Sequence, residues 1–416
     1  MAPGSKGVRV GSLLFLTQRI PYPPIKGEKI RAYRMLCHLA RRHEVHLGTL
    51  IDDPRDWQHV ETVRALCKAA YFAPLDRRVA TPACLAGLLT GEALSVRFFR
   101  NRGLRDWVTR TLDTVRPDVV FVCSGNMAPY VLDHRHRGLR IVDLVDVDSE
   151  KWRAYGARTG GPMGWVYRRE ARLMLALERR IAGSSDATVF VSEAEAALFR
   201  SLMPGPAGRS LGISNGVDFD YFDPAVTRGA PFDAGVANFV FTGTMDYKPN
   251  TDAAVWFARA ILPVIRRSLP GAVFHVVGAS PSAEVRRLAR IGGVRVTGRV
   301  ADVRPYMAHA TACVAPLRIA RGIQNKVLEA MAMGKAVIVT PEALEGIEAA
   351  PDAEVVLAYD ADGIAAAAVA LARAPDAAAR IGRAARRRIE ADYAWDGRLA
   401  ALDDALATAC HTASIR

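Results

Sequence analysis

Two successive series of short apolar runs rich in Val, Ile and Phe set the narrowest limit on what this chain folds into. The first series falls at residues 10–17, 45–50, 70–74, 119–124, 140–147 and 188–192, and the second at 239–243, 273–278, 294–297, 311–316, 336–340 and 355–359. A strand that is apolar on both faces must be covered on both, as in a parallel sheet whose crossover helices pack above and below it. The intervening stretches fit that role: over residues 28–42, Ile30, Tyr33, Met35, Leu36 and Leu39 share one helical face. Two such series predict two doubly wound, Rossmann-like α/β domains, and 416 residues exceed what one ordinary core holds. Periodicity lapses around residues 210–231, so the expected division is 1–210, 211–391 and a helical tail over 392–416.

Sheets of this kind bind ligands in the loops at the carboxyl ends of their strands, and two of them place the expected pocket in a cleft where the domains face each other. The charge is uneven. Of a net +13, residues 1–210 hold 33 Lys and Arg against 21 Asp and Glu, whereas residues 211–416 hold 23 against 22. A basic first half either faces an anionic partner (nucleic acid, anionic lipid, a phosphorylated acceptor) or is a solvated arginine-rich surface. The basic stretch 165–180, with Trp165, Arg168, Arg169 and Arg172, likewise fits an anionic membrane surface or a long helix packed on a sheet. Nucleic acid has little else in its favour, because aromatic residues are 7% of the chain and no helix-turn-helix or base-stacking pattern is present. The six cysteines are scattered without a CxxC pair, so neither a disulfide framework nor a zinc site is expected, and a cytoplasmic location fits. No run approaches the roughly 18 apolar residues of a membrane span. Lys6 and Arg9 before the first apolar run resemble a secretory leader, but the run is short and reads better as a first strand.

The densest chemistry follows the run at 311–316. Arg318, Arg321, Gly322, Asn325, Lys326 and Glu329 occupy a loop and a helix expected to begin near Gly322. Backbone amides at a helix start favour phosphate, and Gly322 admits an anion closely. Lys326 is a point charge suited to a diphosphate, and Glu329, about one turn on, suits the two hydroxyls of a ribose. An ordinary amphipathic helix with a Lys326–Glu329 salt bridge accounts for the same residues. After the run at 239–243, Gly243 lets backbone approach a ligand and Lys248 can neutralise diphosphate charge, although a plain surface turn explains them too.

In the first half, Gly27 and Glu28 open a helix after the first run, with Gly27 keeping that wall thin. Ser124 and Asn126 follow the fourth run. After the fifth come Asp143, Asp146 and Asp148, close enough in sequence to bind a metal or supply a base. Asp146 is the candidate base, and Asp148 either caps a helix expected from Ser149 or touches the acceptor. No HExxH, Walker loop, GxSxG elbow or GxGxxG is present.

Four segments in order carry a resemblance: Gln18-Arg19-Ile20-Pro21-Tyr22-Pro23-Pro24 with Lys26-Gly27-Glu28-Lys29-Ile30-Arg31; Ser214-Asn215-Gly216-Val217-Asp218; Phe241-Thr242-Gly243-Thr244-Met245-Asp246-Tyr247-Lys248-Pro249-Asn250; and residues 318–335. Over essentially its whole length the chain resembles the retaining glycosyltransferases of family 4. More narrowly it is similar to the sugar transferases that accompany exopolysaccharide and exosortase (PEP-CTERM) systems. The resemblance implies a GT-B fold, a nucleoside-diphosphate sugar held mainly by the C-terminal domain, a saccharide or lipid-linked acceptor, retention at the anomeric carbon, and no cofactor or obligatory metal. It also implies that Lys248 pairs with Lys326 on the leaving diphosphate. Glu329 matches the second carboxylate of the family's Glu-x7-Glu motif, while Arg321 stands where the first would be, suggesting contact with a phosphate or an acidic donor sugar. A nucleotide-sugar epimerase of the same architecture and a basic nucleic-acid binder are the rival readings.

Overall fold

The computed structural model describes residues 11–413 except 86, 206–207, 227–228, 234 and 321. The chain divides into two compact units, Met1–Ser214 with Leu399–Arg416, and Asn215–Arg398.

The first unit contains a sheet of β1 (Gly11–Thr17), β2 (His43–Ile51), β3 (Ala69–Pro74), β4 (Val119–Cys123), β5 (Leu139–Val145), β6 (Ala187–Phe190) and β7 (Arg209–Gly212). Its order is β3-β2-β1-β4-β5-β6-β7 and every pairing is parallel. Wholly apolar strands make this possible. Leu13, Leu14, Phe15 and Leu16 are all buried, and Phe15 stacks on Phe121 of the neighbouring strand at 5.3 Å. Each such ring contributes about 1.5–3 kcal/mol by leaving water. The strand β7 was not legible in the sequence. It is four residues, Arg-Ser-Leu-Gly, half-buried throughout, and an edge strand needs no apolar signature. Its pairing with β6 carries the first unit beyond residue 210.

The most unusual core member is Arg31, on the helix Gly27–Ala40, which is 1% exposed. Its guanidinium donates to both carboxylate oxygens of Asp143 on β5 at 2.7 and 2.9 Å, and to the carbonyl of Ile213 at 2.7 Å. One side chain therefore ties a helix, a central strand and the segment after β7 together.

The helix Trp395–Ala413 also departs from expectation. From Leu399 onward it belongs to the first unit, where Leu399, Leu402 and Ala405 are buried. Asp403 accepts from His38 at 2.9 Å and from Arg42 at 2.7 Å, at the end of the helix Gly27–Ala40. It is an integral helix of that unit rather than a separate tail.

The second unit holds β8 (Asn238–Thr242), β9 (Val273–Val277), β10 (Val294–Gly298), β11 (Ala312–Ala315), β12 (Val337–Val339) and β13 (Val356–Leu357). They are parallel in the order β10-β9-β8-β11-β12-β13. Phe239, Phe241, Phe257 and Phe274 are fully buried, with Phe257 and Phe274 stacked at 4.2 Å. The Asn-Gly-Val-Asp segment enters this unit by pairing with its last residues. Val217 donates to the Tyr393 carbonyl at 2.8 Å, and a Cβ on Gly216 would come within 2.8 Å of the Trp395 backbone. Among the described residues no helix is long and apolar enough to cross a membrane.

Candidate active site

In the second unit the strand order turns back between β8 and β11, and the loops at such a switch point are where ligands enter an open parallel sheet. Gly243 directly follows β8, and the helix Asn325–Ala332 follows β11 by way of Gly322, whose φ is +62°. The helix starts at Asn325 with Gln324 as its N-cap, three residues later than the sequence suggested, because the left-handed Gly322 turns the loop before helical geometry sets in. The Gln324 side chain makes no cap bond, so the leading amides are suited to a ligand.

Lys326 stands in the first turn. Its Cε lies 3.5 Å from where a Cβ on Gly243 would be, so the absent side chain of Gly243 makes room for the lysine stem. The ammonium donates to Gln324 Oε1 at 3.3 Å and sits 5.7 Å from the Phe241 ring centroid. Burial lowers its pKa to about 8, against the opposing pull of Glu329. Burial likewise raises Glu329 to about 7, with Lys326 opposing. The simple salt bridge is not found. Among the described residues no ion pair within 4 Å joins the two, and the Glu329 carboxylate makes no hydrogen bond. Its charge reaches Tyr221, an exposed ring with the Arg304 guanidinium 3.8 Å from its centroid, a pair that sequence reasoning did not single out.

Asn325 accepts from Asn215 at 2.9 Å, which fastens the Asn-Gly-Val-Asp segment to the helix start. Lys248 is exposed and begins the helix Lys248–Trp256. Arg318, expected at the donor, is ion-paired within its own unit. Its guanidinium forks onto both oxygens of Asp252 at 3.0 and 2.6 Å through Nε and Nη2 and lies 5.0 Å from the Trp256 ring centroid. Arg321 lies outside the described residues.

Gly278, after β9, is a site residue that sequence reasoning missed, although it ends an apolar strand just as Gly243 does. A Cβ there would sit 1.8 Å from the Gly243 carbonyl oxygen, and its φ is +150°. Two strand-end loops thus meet backbone to backbone beneath Lys326. Gly278→Ala is expected to push the Gly243 loop away and weaken nucleotide binding about tenfold or more, in line with ~1–3 kcal/mol for an overpacked site. Titration of the variant beside wild type checks this, and unchanged affinity would show that the loop contact is idle.

In the first unit the switch point lies between β1 and β4. A small cavity there of about 30 Å³ is lined by Thr17, Arg19, Glu28, Arg31, Ser124 and Asp143, among others. It brings Glu28 and Ser124 together but not Asn126, Asp146 or Asp148. Glu28 accepts from Gln18 and Arg19, each at 2.7 Å, and Gly27 is the first residue of its helix. Ser124 has φ +78° and ψ 132°, a costly conformation for a residue with a Cβ. The next residue but one, Asn126, buries an Oδ1 with no hydrogen-bond partner.

The three aspartates after β5 go separate ways. Asp143 is consumed by Arg31. Asp148 is the first residue of the helix Asp148–Arg158 rather than its cap, the cap being Val147, and its carboxylate pairs with Lys151 one turn on. Glu195 and Glu178 hold the Val147 and Ser149 amides instead, at 2.8 and 2.9 Å, leaving a cap from Asp148 without a task. Asp146 alone stays uncommitted, with a buried Oδ1 lacking a hydrogen bond. Burial raises it to about 7, with Lys151 opposing, so it can take up a proton near neutrality. It is held by a γ-turn: its amide donates to the Leu144 carbonyl at 2.9 Å across Val145, whose φ of +69° is rare for a β-branched residue. Among the described residues no group of three or more His, Cys, Asp or Glu is arranged to hold a metal ion.

Two family models account for most of the chain: "Glycosyl transferase 4-like domain" matches residues 26–216 and "Glycosyl transferases group 1" matches residues 237–374. A GDP-mannose-dependent alpha-(1-6)-phosphatidylinositol monomannoside mannosyltransferase of Mycobacterium tuberculosis is 30% identical over 274 residues, covering 61% of this chain and 69% of that protein. Glycogen synthase of the same organism is 25% identical over 297 residues, and the match spans 67% of this chain and 66% of the synthase. The solved structure of Anabaena HepE in complex with UDP and glucose superimposes with a TM-score of 0.69 at 13% identity, over 96% of this chain and all of that one, which shows the shared GT-B fold. The two matched models, together with two parallel Rossmann-like sheets, place the chain in the class of GT-B glycosyltransferases. Within that class the chain belongs to the family-4-like group.

Proposed function

We propose that this protein transfers a glycosyl group from a nucleoside-diphosphate sugar to a saccharide or lipid-linked acceptor, with retention at the anomeric carbon, as a step of exopolysaccharide assembly. The observation that carries the reading is the placing of Lys326 against Gly243, with the carboxylate of Glu329, which makes no hydrogen bond among the described residues, one turn away. This is a cation and an acceptor spaced for a diphosphate and the hydroxyls of its ribose. The named ligands of similar proteins, UDP for HepE and GDP-mannose for the mannosyltransferase, support a nucleotide-sugar donor.

In the reaction the bond from the anomeric carbon to the diphosphate oxygen breaks, and its electron pair leaves with the nucleotide. Lys326, Lys248 and the leading amides of the Asn325 helix stabilise the charge that develops. The acceptor hydroxyl forms the new glycosidic bond on the face the diphosphate leaves, which keeps the anomeric configuration, and Asp146 is assigned as the base that takes its proton. These groups do the work without a metal or organic cofactor. The enzyme acts in the cytoplasm, and the basic first unit favours approach to an anionic membrane surface.

Calorimetry and thermal melting with UDP, GDP, ADP and CMP, with and without magnesium, test the reading. One nucleoside diphosphate is expected to stabilise the wild type regardless of magnesium. Glu329→Ala should bind it about ten- to a hundredfold more weakly, the scale of hydrogen bonds to a charged group at about 1.5–3 kcal/mol. Indifference of the wild type to all four would remove the donor site.

A further inference from the structure

The helix Gly161–Ser184 bears a feature that glycosyl transfer leaves unused. Among the described residues, Trp165, Arg168, Arg169 and Arg172 line an open surface pocket of about 170 Å³, far above the roughly 10–15 Å³ that a water needs. Their spacings of three and four place all four on one helical face. Three like charges so close repel one another, yet among the described residues none of these arginines has a carboxylate partner. Glu170, the nearest carboxylate in sequence, is turned away and spent on the Leu94 and Ser95 amides at 2.9 and 2.8 Å.

Arg169 gives the pocket a built floor. It is 7% exposed, and its Nη2 is fixed by the carbonyls of Gly87 at 2.5 Å and Glu92 at 3.1 Å. Its Nη1 is buried with no hydrogen-bond partner. Orienting a guanidinium this firmly while leaving one of its nitrogens unsatisfied costs free energy. Arg168 and Arg172 stand exposed around it, and the Trp165 ring is 53% exposed beside them.

We infer that this pocket binds a phosphate ester. Arg169 would be the fixed donor and Arg168 and Arg172 the adjustable ones, with Trp165 flanking the group esterified to the phosphate. A tetrahedral oxyanion supplies several acceptors at once and relieves the repulsion among the arginines. The same chemistry is offered by a phospholipid headgroup and by a soluble phosphorylated molecule. The site draws on the first unit alone and the Lys326 cradle on the second, so the proposal holds or fails independently of the transferase reading.

Tryptophan fluorescence with inorganic pyrophosphate as probe tests it. A saturable change is expected in wild type and in Lys326→Met, absent in Trp165→Phe, and shifted about tenfold or more to higher concentration in Arg172→Gln, which removes an exposed side chain without touching the core. Vesicles of phosphatidylglycerol and of phosphatidylcholine separate the two sources. A Trp165-dependent response to the first only, displaced by pyrophosphate, assigns the site to a lipid headgroup. A pyrophosphate response without a vesicle response assigns it to a soluble ester. If the signal vanishes in Lys326→Met and persists in Arg172→Gln, or if neither probe binds, the pocket is no phosphate site.

Discussion

Lys326→Met is expected to lower kcat by roughly 10²–10³-fold, the loss of about 2.7–4 kcal/mol that follows removal of one preorganised group facing transition-state charge. Methionine keeps a long apolar stem against Gly243 and deletes only the ammonium. Folding should not suffer. Burial depresses the lysine to about 8 from its ordinary 10.5, so the folded chain releases this proton more readily than the unfolded one. Stability from this group therefore rises as pH climbs from about 8 to 10.5. Below about 8 the full cost of burying the charge is present, and the variant should melt at least as high as wild type at pH 7. The same depression predicts that nucleotide affinity falls as pH rises through about 8, and that Lys326→Arg, which stays charged, flattens the fall. A variant that keeps kcat within about threefold of wild type would take Lys326 out of the chemistry.

Arg31→Leu is expected to cost about 3–5 kcal/mol, because it leaves the Asp143 carboxylate, itself 1% exposed, without its counter-charge. Against a typical total of about 5–15 kcal/mol, that is a large part of one unit's stability. Arg31→Leu with Asp143→Leu should regain much of the loss, since a well-packed apolar pair often matches a buried ion pair. Two units need not melt together, so urea unfolding should be followed by proteolysis within the first unit while nucleotide titration reports on the second. If the double variant is no better than the single one, the lost bond from Arg31 to the Ile213 carbonyl matters more than the charge.

These two residues mark the boundary of what the sequence makes legible. Strands such as 13–16 and 239–241 announce themselves because a parallel sheet buries both faces, and Gly243, Lys326 and Glu329 because helix starts and strand ends are where such sheets work. Arg31 stands in the sequence as part of a segment that carries the family resemblance, with nothing to mark it as a core residue. Its partner lies 112 residues away, and no local pattern encodes that distance. The Arg318 partner is hidden for the same reason, since Asp252 precedes it by 66 residues. The γ-turn at Val145 ran against local propensity, because β-branched residues avoid positive φ and only the surrounding sheet imposes it. The later start of the Asn325 helix turned on one left-handed glycine.

The return of Leu399 and its successors to the first unit has a consequence for synthesis and for handling. As the chain leaves the ribosome, Asn215–Arg398 can close its own sheet first, while the unit begun earlier waits for its last helix to emerge. Until then the surface destined for Leu399 and Leu402 stays open to chaperones or to neighbouring nascent chains. A gene fragment ending at Ser214 would inherit that unfinished surface permanently. Soluble expression of the first unit alone calls for residues 399–413 to be joined back through a short linker.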